Sequence, residues 1–209
     1  MITMKLALWL TAILVCASAM AQTKGTYLES RTCSVYVGAC HFNGEYDTAG
    51  REAALAWKFD TGRFAGRAAA AIVVSDANLA EGTARKSWLY FERTGDADAD
   101  EAFGRELSAQ FSNVLGKSVV VSHQPVRYSD DGEVVKVSVG DKGQIVSLDV
   151  SRVTKPCCPM PHEVWYQPLA TIDSVSVGLA NQNRCSVQEL ALSWQRPLEN
   201  SAFIGEFRY

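Results

Sequence analysis

The sequence predicts an α+β domain, predominantly antiparallel β-sheet with one amphipathic helix near 98–115, behind an export signal. Three observations predict it. Apolar residues alternate at period two through much of the chain, turn-forming Gly and Asp punctuate those runs, and one stretch switches to helical spacing behind a cluster of acids.

The N-terminus supplies the first element. Lys5 is a minimal positive region, Leu6 to Val15 an apolar run too short to span a bilayer comfortably, and Ala19-Met20-Ala21 a small-residue cleavage site. Residues 1–21 are therefore expected to be a cleavable signal peptide and 22–209 a single β-rich domain, periplasmic or secreted, with no transmembrane anchor after cleavage. Cys16 could suggest lipidation, but Val15 stands where such a signal wants a small residue.

Tyr27–Glu29 reads as a strand. Ala53–Phe59 and Phe64–Val74 read as a hairpin joined at Asp60-Thr61-Gly62. The alanines of 67–72 have helical propensity, but Gly66 and Val73-Val74 favour a strand. Trp88–Phe91 is another strand. Asp96, Asp98, Asp100 and Glu101 then precede Phe103, Leu107, Phe111, Val114 and Leu115, a helical spacing whose acidic first turn suits the helix dipole and whose stop is Gly116. Val135, Val137, Val139 and Val146, Leu148, Val150 form a second hairpin around Gly140–Gly143. Ile172–Val177, Gln188–Trp194 and Phe203–Tyr209 complete the strands. Trp57, Trp88, Trp165 and Trp194 are expected in the core or at its rim.

The chain carries 20 Lys+Arg against 23 Asp+Glu, and Lys5 leaves with the signal, so the mature part is acidic and unsuited to nucleic acid. With 47% hydrophobic residues it can bury a full core. Loss of Cys16 leaves Cys33, Cys40, Cys157, Cys158 and Cys185, an odd set in an oxidising compartment, so at least one sulfur must stay a thiol, bind a metal or pair between chains.

Reactive side chains concentrate in two segments. Thr32–Glu45 holds Cys33, Cys40 and His41; Lys155–Glu163 holds Cys157, Cys158, Met160 and His162 among three prolines that stiffen it. Adjacent Cys157 and Cys158 can bond to each other only through a strained ring. Thiolate, thioether and imidazole are soft donors that select copper, Cu(I) above all, with zinc less favoured. Cys40, His41, Cys158, Met160 and His162 are the candidate metal ligands. Cys33, Cys157 and Cys185 are candidates for disulfide or redox roles. A competing structural reading pairs Cys33 with Cys40, and Cys157 or Cys158 with Cys185, leaving one inert thiol. The order Cys158, Met160, His162 reverses that of a blue-copper loop, and no CxxC occurs. Glu45 and Glu163 could orient the histidines, whereas His123, at a strand end, reads as structural. No GxSxG, P-loop, GxGxxG after a strand or HExxH is present, which removes the standard hydrolase, nucleotide and zinc-protease mechanisms.

Gly25–Cys33, Cys40–Glu45, Gly50–Trp57, Cys157–Pro161 and Ser201–Phe207 together resemble exported members of the domain of unknown function 1326 family. The resemblance spans nearly the whole mature chain and implies one domain with cysteines central to its role. The residues thus point to an exported copper-binding protein for sequestration or delivery, more a carrier than an enzyme, whose partners are the metal ion and a periplasmic protein. The alternatives are a thiol-disulfide redox protein or sensor and a disulfide-stabilised binding module without chemistry.

Overall fold

The computed structural model describes residues 22–38, 50–82, 84–153, 162–164 and 166–209. The N-terminal 21 residues, and with them the expected signal, lie outside that set. Among the described residues no helix is long and apolar enough to cross a membrane.

The strands are β1 (Lys24–Arg31), β2 (Tyr36–Gly38), β3 (Glu52–Phe59), β4 (Ala68–Ser75) and β5 (Arg85–Phe91). Helices α1 (Ala97–Gln110) and α2 (Ser112–Leu115) follow, then β6 (Ser118–His123), β7 (Val126–Asp130), β8 (Val134–Val139) and β9 (Val146–Arg152). The chain closes with β10 (His162–Val164), β11 (Asp173–Val187), β12 (Leu192–Gln195) and β13 (Glu199–Arg208). The main sheet runs β6-β5-β4-β3-β1-β13-β11-β9-β8-β7, with β12 beside β11, and curls into a half-barrel. Pairing is antiparallel except between β5 and β6, which the α1–α2 crossover makes parallel. The sheet-dominated character and the one long helix agree with the sequence.

The curl gives the central strands two buried faces. On the helix side, Tyr27, Trp57, Leu89, Phe91 and Phe207 pack against Phe103, Leu107 and Phe111. On the concave side, Leu28, Ala54, Ala56, Ile72 and Ile204 pack against Val135, Val137, Leu148 and Val150. Strands covered on both faces lose the apolar–polar alternation. This accounts for the Ala-Ala-Leu-Ala-Trp and Ala-Ala-Ala-Ala-Ile-Val-Val runs of β3 and β4, which are strands in spite of their alanines.

All five apolar positions read as one helical stripe are buried. The helix is interrupted at Phe111, with φ of −105° and ψ of 27°, where the ring packs 5.0 Å from Trp57 and 5.6 Å from Phe207. Asp96 caps the N-terminus by accepting from the Ala99 amide at 3.0 Å. Residues 188–190, expected in a strand, form a 3₁₀ turn before β12, and Ala191 after it takes a positive φ of 48°.

Candidate functional site

The two cysteine-bearing segments share one root. β2 and β10 form a separate antiparallel ribbon in which His162 faces Gly38, Glu163 faces Val37 and Val164 faces Tyr36. Val35 and Tyr36, within the first segment, pack with Phe203, and Val153, Tyr166 and Val177 pack against this cluster. Val153 precedes the second segment and Tyr166 follows it. The backbone ties it down, with the Val35 amide donating to Asn200 O at 2.7 Å and the Val153 amide to Val177 O at 3.1 Å.

The first segment returns at Gly50, whose positive φ of 55° suits a residue without Cβ. A Cβ there would also stand 2.7 Å from Cys33 Sγ and 3.0 Å from Asn78 Nδ2. Asn78 Nδ2 in turn donates to Tyr166 Oη at 3.1 Å. Cys33, Gly50, Asn78 and Tyr166 thus join the return of the first segment to that of the second. Cys40, His41, Glu45, Cys157, Cys158 and Met160 themselves lie outside the described residues, and His162 is placed by its backbone in β10. Trp165 is likewise outside them.

Beneath the ribbon root lies a buried ionic network on the helix-side face of β1. Glu29 and Arg31 are both fully buried. Glu29 accepts from Tyr27 Oη at 2.7 Å, from the Leu169 amide at 2.8 Å and from Arg31 Nε. Arg31 Nη2 donates to Gln167 O, and the guanidinium lies 5.2 Å from the Tyr166 ring and 5.8 Å from that of Phe203. The network therefore grips residues 166–169, the stretch immediately after β10. Burial pulls the Arg31 pKa down, but the Glu29 carboxylate outweighs it and leaves it above its ordinary value. Burial, reinforced by Glu29, drives the Tyr27 phenol well above its ordinary value. Cys33 lies within electrostatic range of Arg31.

Arg31 Nη1, Trp57 Nε1 and Arg85 Nε are buried donors without hydrogen-bond partners among the described residues. Arg85 lies within electrostatic range of Glu29 and Arg31, and burial lowers its pKa. Its other nitrogens tie down Leu79 O, Asn113 O and Val114 O. This face thus concentrates buried cationic donors around one carboxylate.

Cys185 is elsewhere. It lies in β11 opposite Val146 and Trp194, buried in the concave core with a free thiol. Burial pushes that thiol up to about 12. Cys185 lies eight steps along β11 from Val177 at the ribbon root, about 26 Å of extended chain. Cys33, by contrast, is buried at the root itself. His123 closes β6 with its ring 4.9 Å from Phe91, and Trp57 is fully buried while Trp88 and Trp194 are partly so.

Sequence reasoning missed Glu29, Arg31 and Arg85. In Tyr27-Leu28-Glu29-Ser30-Arg31 only a strand was read, and the signal that could have marked Glu29 and Arg31 as buried is the apolar run of the neighbouring β3. Among the described residues no group of three or more His, Cys, Asp or Glu stands where it could hold a metal ion. No protein-family model matches the chain, and no curated protein matches it.

Proposed function

We propose that the chain is an exported soft-metal protein that binds copper as Cu(I) through Cys40, His41, Cys158, Met160 and His162 and serves in sequestration or delivery. The supporting observation is the register of the β2–β10 ribbon, in which His162 is paired with Gly38. Cys40 follows Gly38 by two residues, and Met160 and Cys158 precede His162 by two and four. At ~3.6 Å of maximum reach per residue, the chain can carry none of these positions more than about 15 Å from that ribbon end. That reach allows sulfur and imidazole donors from both segments to approach a single ion beside the ribbon. The set is soft, which favours Cu(I), while zinc would use the cysteines and histidines without Met160. When bound, the metal would exchange with a partner through these same soft ligands. The protein's own contribution is to hold both segments at one root, and the Glu29–Arg31 grip on residues 166–169 serves that end.

The reading also rests on the resemblance to exported domain of unknown function 1326 proteins and on the expected signal at 1–21. Cys33, buried at the root, and Cys185, buried in the sheet, fall outside the ligand set. Mature protein given one equivalent of Cu(I) against a competing chelator should retain the metal, and a Cys158→Ser, His162→Ala variant should lose it. Equal retention by both would overturn the proposal. A thiol-disulfide protein would instead show a disulfide that mild reductant opens whether or not copper is present, as read by alkylation and mass spectrometry.

A further inference from the structure

Far from the cysteine ribbon, two adjoining depressions share one residue, Arg93, and differ sharply in chemistry. The first is an open groove of about 930 Å³ between α1 and the edge strand β6, mostly apolar along Phe91, Gly104, Ala109 and Val121 and also lined by Asp100 and Glu101, which are paired with Arg67 and Arg105. It is within the size range of small-molecule sites. Gly104 lets α1 pack closely on the Phe91 ring, where a Cβ would come within 3.3 Å of it. Val121 is 44% exposed along the floor. The second, of about 430 Å³, is lined by Lys58, Arg67, Arg93 and Arg127 around the β3–β4 turn, the end of β5 and β7.

The cationic character is uncommon in so acidic a chain. Arg67 is fixed in place, donating to Asp100 Oδ1 at 2.8 Å and to Glu92 O at 3.1 Å, with its guanidinium 4.0 Å from the Phe103 ring. Lys58 is turned to Gly66 O. Arg93 and Arg127 are exposed and have no ion-pair partner among the described residues. The acids nearby are largely engaged. Asp100 is held by Arg67 and Thr94, Glu101 by Arg105, and Asp130 by Arg152. Glu92 lines the cationic pocket and Asp60 lies within electrostatic range of Tyr128 on its wall; with Arg67 already paired to Asp100, Lys58, Arg93 and Arg127 outnumber these two acids by one.

We propose that this face binds a free long-chain carboxylate, its acyl chain in the α1–β6 groove and its carboxylate on Arg93 and Arg127. An apolar trough leading to unpaired guanidinium groups matches an amphiphile with one tail and one negative head. A neutral chain would leave the arginines unused, and a small anion would leave the trough empty. The proposal is independent of copper binding.

Isothermal titration of the mature protein with dodecanoate, dodecan-1-ol and acetate tests it. Dodecanoate should bind one per chain, about tenfold more tightly than the alcohol, as expected for partly exposed charge pairs. Acetate should not bind measurably. Arg93→Glu with Arg127→Glu should erase the preference for the acid, and Ala109→Trp, filling the trough from an exposed position, should weaken acid and alcohol alike. Circular dichroism checks that these surface variants stay folded. No dodecanoate binding up to its solubility, equal affinity for acid and alcohol in the unaltered protein, or full affinity in the double arginine variant would each overturn the proposal.

Discussion

Glu29 and Arg31 are buried together at no exposure, with Tyr27, Leu169 and Gln167 completing their hydrogen bonds. Removing one partner strands a charge in the core, which typically costs about 3–5 kcal/mol, whereas replacing both with apolar residues of similar volume costs far less. Glu29→Gln should therefore lower the urea midpoint strongly, and Glu29→Leu combined with Arg31→Met should recover most of the loss. The pair was not legible in the sequence, because burial of the second face of β1 comes from α1 and residues 166–172, which are remote in the chain. Cys185 offers a second check at this scale. With its thiol pushed up to about 12 by burial, it stays protonated at neutral pH and shielded from reagents. Iodoacetamide should leave the Cys185 peptide unmodified in the folded protein and modify it fully in denaturant, as read by peptide mass spectrometry.

Elements with strong periodicity or clear turn residues were legible. The helix, the β3–β4 and β8–β9 hairpins and the terminal strand all stand where spacing and turn residues put them. Asp96 begins the helix by side-chain capping, so Asp96→Ala should cost about 1 kcal/mol in thermal or urea unfolding. The three-residue strands β2 and β10 were not legible, since three residues carry no measurable period, and their pairing joins positions more than a hundred residues apart. β11 was foreseen only at its start. Its fifteen residues exchange neighbours from β13 to β12 along one side, and the polar Asn181, Gln182 and Asn183 sit where that exchange happens. Asn183 is nevertheless buried, donating to Arg31 O at 2.9 Å and accepting from Trp194 Nε1 at 2.7 Å.

Across the whole molecule, acid should be the weak condition. Burial raises the Asp100 carboxyl, but the Thr94 amide and hydroxyl and Arg67 outweigh it and hold it below the usual range. The bidentate contact from Arg152, at 2.7 and 2.6 Å, holds Asp130 low as well. A carboxyl whose folded pKa is depressed adds stability above its ordinary value near ~4 and loses it as pH falls through the folded value. Urea midpoints should thus be level at neutral pH and fall below about pH 4, with a shallower fall in Asp100→Asn and Asp130→Asn.

The curl of the sheet was out of reach of local patterns, because it arises from how β7 returns toward β3 and β4. The β2–β10 ribbon is a sheet of its own beside the curled one, and the two segments proposed to carry the copper ligands adjoin it. Whether both of its segments serve one ion can be read directly from X-ray absorption of the Cu(I)-loaded mature protein. Copper–sulfur scattering near ~2.3 Å should diminish in Cys40→Ser and, separately, in Cys158→Ser. An unchanged copper environment in either single variant would contradict a site shared by the two segments.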